Sequence, residues 1–452
     1  MKNILLLAIL ALTFSCKTDI KKDETAAKEV AIAPISDNDL ENAIIYEANI
    51  RQYSPEGTFS EFTKDIPQLK ELGVKIIWVM PIYPISTTNS KGPLGSYYAI
   101  SDYTKVNPEF GNLEDVKALV NTAHENGMYV ILDWVANHTG WDHVWLKDHP
   151  DYYTKNEAGE ITHTIGTDWT DVADLNYDNQ EMRIEMLEDM KYWVKEVDVD
   201  GFRCDVAGMV PVEFWENTVT ELKKIKPVFM LAEGWESNLM ENAFDMGYGW
   251  DTHHRMNKIA QGEENVKNWD ARIAQIDSMY QEDDILMNFV TNHDENSWSG
   301  TVKERMGDAS EVMLALSYCS PGMPLIYSGQ EYDMSKRLRF FEKDTIIKTK
   351  GKVWPLMEKL GNLKTTNKAL NGGKNAASYT KIQSSENENI LIFTREKEGD
   401  KVTFIANLSN KEVKFTCEKE GVSTEYFSGD KITFLKGEML NFKPWEYKIL
   451  ID

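Results

Sequence analysis

The chain reads as a closed parallel β/α barrel with a short insertion and a separate antiparallel β domain. Three observations predict this. Eight short apolar, β-rich runs alternate with longer helix-like stretches, as a parallel sheet covered by helices requires. No Gly-rich phosphate-binding loop follows any of the runs, which disfavours a doubly wound nucleotide-binding sheet. After N-G-G-K-N-A-A (371–377) the texture changes to short alternating strands such as 390–395 and 401–407, the pattern of an antiparallel β-sandwich.

The chain opens with M-K-N-I-L-L-L-A-I-L-A-L-T-F-S-C, a lysine followed by an apolar run too short to span a bilayer, and is expected to be an export signal. Cys16 after a small residue is similar to the acylation site of bacterial lipoproteins. The polar, charged stretch that follows suits a tether. The expected organisation is a lipoprotein signal peptide over 1–16, a flexible tether over 17–38, a barrel over 39–370 and a C-terminal domain over 376–452. Such a protein is exported and anchored at the outer membrane by its lipid, with its side of the membrane left open.

The eight runs lie at 44–49, 75–80, 129–135, 199–206, 228–234, 243–247, 286–294 and 324–329. Amphipathic segments such as 113–124 and 182–194 separate them. Between 138 and 180 the chain is rich in Asp, Trp, Tyr and Thr without helical period, and an irregular insertion of that length is usually functional. Trp141, Trp145 and Trp169 within it are open between stacking on a ligand and forming the core of a small loop domain.

Of the 452 residues 42% are apolar and 11% aromatic, ample for a large core. Net charge is -24, from 73 acidic and 49 basic residues, which disfavours nucleic acid and anionic membrane surfaces and suits a neutral substrate. Besides Cys16 there are only Cys204, Cys319 and Cys417, scattered in apolar contexts with neither a disulfide framework nor metal spacing.

Catalytic groups of such barrels lie where strands end. Asp133, Asn137 and His138 follow the third run, Arg203 and Asp205 close the fourth, Glu233 ends the fifth, and His293 and Asp294 end the seventh. Three carboxylates, an arginine and two histidines therefore converge on one mouth. Two carboxylates across a sugar cleave a glycosidic bond when one stays ionised beside a cation and the other has a raised pKa. Asp205 beside Arg203 suits the first role, Glu233 between apolar neighbours the second.

The segments D-W-V-A-N-H (133–138), V-A-D-L-N (172–176), G-F-R-C-D-V-A (201–207), L-A-E-G (231–234) and F-V-T-N-H-D (289–294) occur in the order seen in the α-amylase family, glycoside hydrolase family 13. The resemblance spans roughly residues 40 to 450. It implies Asp205 as nucleophile, Glu233 as general acid/base and Asp294 as the third carboxylate, which stabilises the cationic transition state. Arg203 would hold Asp205 ionised, His138 and His293 would bind hydroxyls of the sugar being cleaved, and Tyr98 would form the platform beneath it. Asn137 and Asp174 match positions that bind structural calcium in many members, while the chemistry needs no cofactor. Gly208-Met209 stands where many members carry Lys-His, which leaves calcium and the leaving-group subsites open.

The implied activity is retaining hydrolysis of starch-like α-glucans or maltooligosaccharides, mainly at α-1,4 bonds. A transglycosylase or an α-1,6 or α-glucosidase specificity on the same machinery is the first alternative. An inactive α-glucan-binding surface lipoprotein is the second.

Overall fold

The computed structural model describes residues 32–452; the leader, Cys16 and the expected tether up to residue 31 lie outside the described residues. Eight parallel strands close into a barrel: β1 Ile45–Ala48, β2 Ile76–Val79, β3 Tyr129–Trp134, β4 Gly201–Cys204, β5 Phe229–Ala232, β6 Met246–Tyr248, β7 Ile285–Asn288 and β8 Met323–Tyr327. Each pairs with its neighbours in sequence, and β8 closes on β1 through Ile45 opposite Leu325. All eight expected runs supply a barrel strand.

Strand ends fall within two residues of the expected runs at all but two boundaries, which differ by more for physical reasons. The sixth strand begins at Met246 because Ala243 caps the preceding helix, Ser237–Asn242, with its N–H on Leu239 O. The seventh ends at Asn288 because the chain turns away from the ladder, and His293 and Asp294 start a helical turn that continues as a π-helix over Glu295–Ser299. Single π turns of this kind are frequent at functional sites.

Strand parity decides what faces the barrel axis. Ile45, Ile76, Trp78, Tyr129, Ile131, Phe229, Leu231, Met246, Ile285, Met287, Met323 and Leu325 pack together as the interior. Their sequence neighbours Ile44, Tyr46, Ile77, Val79, Val130, Leu132, Phe202, Met230 and Ile326 face the helices. Continuing inward parity toward the strand C-termini places Glu47, Asp133, Arg203, Asp205 and Glu233 at the top of the interior. Gly201 makes room for this crossing: its φ is 147°, and a Cβ there would lie 1.8 Å from the carbonyl oxygen of Phe229.

The helices bury one stripe each. Leu113–Glu125 starts on an Asn112 capping box and buries Val116, Leu119, Val120 and Ala123, the i, i+3, i+4, i+7 set of an amphipathic helix. Gln180–Glu196, capped by Asn179, buries Met182, Met186, Met190 and Trp193 just before β4. Within the insertion a two-stranded pair, His138–Gly140 against Val172–Asp174, supports a short helix over Val144–Asp148.

The C-terminal domain has a six-stranded antiparallel sheet and a two-stranded one. On one face of the larger sheet Ile390, Ile392, Ile405 and Leu450 pack against Val413, Phe415 and Phe442 of the smaller. Leu391, Phe393, Val402, Phe404 and Ile449 on the opposite face join the barrel's outer core. The domain is therefore docked by burial rather than tethered. No helix among the described residues is long and apolar enough to cross a membrane.

Candidate active site

Arg203 is the hub of the mouth. Its side chain is wholly buried, with Nη1 2.9 Å from Asp133 Oδ1 and 3.0 Å from Asp205 Oδ1, and Nη2 2.9 Å from Glu233 Oε2. Nε donates to Tyr248 Oη at 3.2 Å, and the guanidinium lies 4.9 Å from the Trp78 ring centroid. A buried cation held by three carboxylates and a π face is a fixed source of positive potential. Three carboxylates therefore surround one guanidinium.

Asp133 is the supporting member. Its Oδ2 accepts from Trp78 Nε1 at 3.0 Å and Tyr98 Oη at 3.1 Å, so every contact it makes orients another side chain. Asp205 lies one residue beyond β4, with its N–H donating to Trp134 O. The following Val206 has φ 37° and ψ 47°, a left-handed conformation that a β-branched residue adopts only under constraint. That turn aims the Val206 N–H at Glu233 Oε2, 2.8 Å away.

Burial and charge separate the carboxylates. Burial pushes Asp205 up to about 6, with Arg203 opposing it and the Asp133 and Asp294 charges adding to it. Burial pushes Glu233 higher, to about 7, again opposed by Arg203 and reinforced by the charges of Asp205 and Asp294. Both carboxyls are thus raised toward neutral pH by burial, Glu233 even though Arg203 and the Val206 N–H each favour its charged form.

His293 lies between Glu47 and Asp294, with Nδ1 2.5 Å from Glu47 Oε1 and Nε2 3.2 Å from Asp294 Oδ2. Burial pulls its pKa down, but Asp294 and Glu47 outweigh that and raise it to about 9, so the ring is an imidazolium at neutral pH. Its Nε2 is also 2.8 Å from Tyr98 Oη. Tyr98 stacks on His293 at 5.5 Å and 21° and lies nearly parallel to Phe340, a flat platform under the cleft. His138 is different: burial lowers it to about 4, leaving a neutral ring 5.6 Å from Trp169.

All seven candidate catalytic and substrate-binding residues thus meet in one place. Tyr98, His138, Asp205, Glu233, His293 and Asp294 line a cleft of about 560 Å³, with Arg203 beneath. The insertion's tryptophans divide: Trp145 is core, packed on Tyr103 and Tyr152, whereas Trp169 lines the cleft. Trp141 is partly buried and donates to Thr170 O.

The calcium candidates are engaged with one another. Asn137 Nδ2 donates to Thr164 Oγ1 at 2.9 Å, and Thr164 Oγ1 donates to Asp174 Oδ1 at 2.7 Å. Calcium takes six to eight oxygens. This set offers one carboxylate, and no group of three His, Cys, Asp or Glu suited to a metal occurs among the described residues. The donor set as arranged does not fit that ion.

Sequence reasoning missed Glu47, Trp78 and Tyr248. The signal was available for Glu47, a carboxylate at inward parity in an otherwise apolar strand run. For Trp78 and Tyr248 nothing distinguished a functional neighbour from an ordinary core aromatic.

A family model described as the alpha-amylase catalytic domain matches residues 32–169 and 162–389, and one described as the maltogenic amylase C-terminal domain matches 380–449. Alpha-amylase 3 of Dictyoglomus thermophilum is 25% identical, over 84% of this chain and 87% of that protein. A cyclomaltodextrinase of Thermoanaerobacter pseudethanolicus is 26% identical over 79% of this chain, which spans 64% of that protein. Among solved structures, the noncanonic maltogenic alpha-amylase AmyB from Thermotoga neapolitana superposes with a TM-score of 0.83 at 30% identity, covering 91% of this chain and 99% of that one. An alpha-amylase from Lactobacillus plantarum gives 0.82 at 31% identity, covering 92% and 99%.

Proposed function

The chain belongs to the alpha-amylase family, and from that premise we propose that it is a retaining glycoside hydrolase of α-glucans, acting mainly on α-1,4 bonds of starch-like chains or maltooligosaccharides. The observation that carries this reading is the single guanidinium, Arg203, touching Asp205 and Glu233 together while burial raises the pKa of Glu233 to about 7.

In the proposed mechanism an Asp205 oxygen bonds to the anomeric carbon as the glycosidic C–O bond breaks. Glu233 gives its proton to the departing oxygen. Glu233, now a carboxylate, takes a proton from water, the water oxygen bonds to the anomeric carbon, and Asp205 leaves. Asp294 faces the positive charge developing on the sugar, His293 binds its hydroxyls, and Tyr98 supports the ring face. A second sugar in place of water turns the same sequence into transglycosylation. The glucanotransferase of Thermotoga neapolitana, 31% identical over 62% of this chain, makes that the second reading.

We further propose that the protein is exported and lipid-anchored at Cys16. The apolar leader and the small residue before Cys16 support this. Palmitate incorporation lost in Cys16→Ala tests it.

The deciding experiment follows the product anomer by NMR on maltooligosaccharides. Initial α-anomer is expected, and initial β-anomer rules out retention. No product from any α-glucan would leave a binding protein.

A further inference from the structure

The rim of the barrel is uneven. On one side the connections are short: β4 to the helix at Val212, β5 to Ser237 and β6 to Trp250. On the other, long connections follow β2 (to Leu113), β3 (to Gln180) and β8 (to Val353), three strands grouped around β1. In a ring of eight, β1 lies opposite β5, the strand that ends in Glu233.

The long loops are stitched together. Lys91, on the β2 connection, pairs with Asp171 of the insertion at 3.0 Å and donates to Asp168 O at 2.9 Å. Asp142 of the insertion accepts from the N–H groups of Thr87 and Thr88 at 2.9 and 3.2 Å. Leu94 N–H donates to Phe341 O on the β8 connection. Gly92 lies so close that a Cβ would be 2.4 Å from Phe341 Cβ. Buried Arg51 holds the β2 loop from below through Gly95 O and Leu94 O. Lys91, Asp168, Asp171 and Phe341 all line the cleft.

We propose that this seam closes the glycone end of the cleft, with Lys91 as the specificity-determining residue, so that the enzyme releases glucose or maltose from the non-reducing end rather than cutting within chains. Glu233 must reach the leaving oxygen, so the leaving group departs over the low β4–β6 rim, where a long chain has room. The glycone then points across the barrel into the stitched wall, where only a short one fits. This rests on the hydrolase reading above and adds where the chain is cut.

The test compares p-nitrophenyl maltoheptaoside with the same compound blocked by an ethylidene group on its non-reducing 4- and 6-hydroxyls, and follows products from amylose. The wild-type enzyme cleaves the free substrate, spares the blocked one and yields glucose or maltose from the outset. In Lys91→Ala the ratio of blocked to free cleavage rises about tenfold or more and longer products appear. Asp171→Asn, which loosens the pair from its other side, shifts the ratio the same way. Comparable cleavage of both substrates by wild type, or a spread of long early products, overturns the closed glycone end. An unchanged ratio in Lys91→Ala overturns the role of the seam. Failure to cleave either substrate instead refutes the hydrolase reading on which the inference stands.

Discussion

The N–H of Val206 donates to Glu233 Oε2 at 2.8 Å from a backbone held at φ 37°. One strained residue therefore couples the carboxylate before it to the one it binds. A left-handed β-branched residue costs about 1–2 kcal/mol, an amount comparable to what glycine loses through its freer unfolded chain. Val206→Gly is expected to leave stability within about 1 kcal/mol of wild type. Its kcat should fall roughly tenfold, because the turn is no longer forced to hold Asp205 and Glu233 together. Thermal unfolding and steady-state kinetics check both, and a kcat at the wild-type level would show that the strain has no catalytic purpose.

Activity needs Asp205 ionised and Glu233 protonated. The Asp205 limb is lost as pH falls through about 6, and the Glu233 limb as pH rises through about 7. A narrow bell in kcat/KM centred between these values is expected, its limbs belonging to the coupled pair. Asp205→Asn and Glu233→Gln should each lower kcat by about a thousandfold or more with the fold intact. Retention of activity in Asp205→Asn would remove it from the nucleophile's role.

Glu47 maintains the charge on His293. A histidine raised to about 9 contributes stability that is fully present below its ordinary value of 6.5 and lost as pH rises through about 9. Glu47→Gln removes one of the two anions that raise it, so the folded-state value falls and this loss moves toward neutral pH. Urea unfolding across that range should show a smaller alkaline decline in the variant than in wild type. In kinetics KM should rise near pH 8 more than at pH 6, and parallel curves would assign Glu47 to packing alone.

Asn137, Thr164 and Asp174 are joined by two hydrogen bonds, and as arranged they offer a single carboxylate. Chelation with EDTA is therefore expected to leave melting temperature and activity unchanged. Thr164→Val, which breaks both bonds at a buried position, should cost about 1–3 kcal/mol. A fall in melting temperature on chelation, reversed by added calcium, would contradict this.

The barrel was legible because its strands are buried on both faces and read as continuous apolar runs, and because helix stripes and caps are local signals. Asp205, Glu233 and Asp294 were legible for a related reason. A carboxylate at the end of an apolar strand stands out when burying it unpaired would be costly. Glu47 obeys the same logic, but it lies inside an apolar run rather than at its end, so the sequence does not set it apart. Lys91 and Phe341 could not be read at all, since loop residues carry no period and their contacts join segments far apart in the chain.

The order of apolar runs and the placing of charges at their ends were determined by the sequence alone, since both follow from what a strand or helix must bury. Tertiary structure decided the rest. Closing the ring brought one guanidinium against three carboxylates, and burial there drove the pKa values of both Asp205 and Glu233 upward. It also set three long loops side by side around β1 and left the opposite rim low. Charge interactions and loop contacts depend on distance in space, and only chain closure fixes that distance.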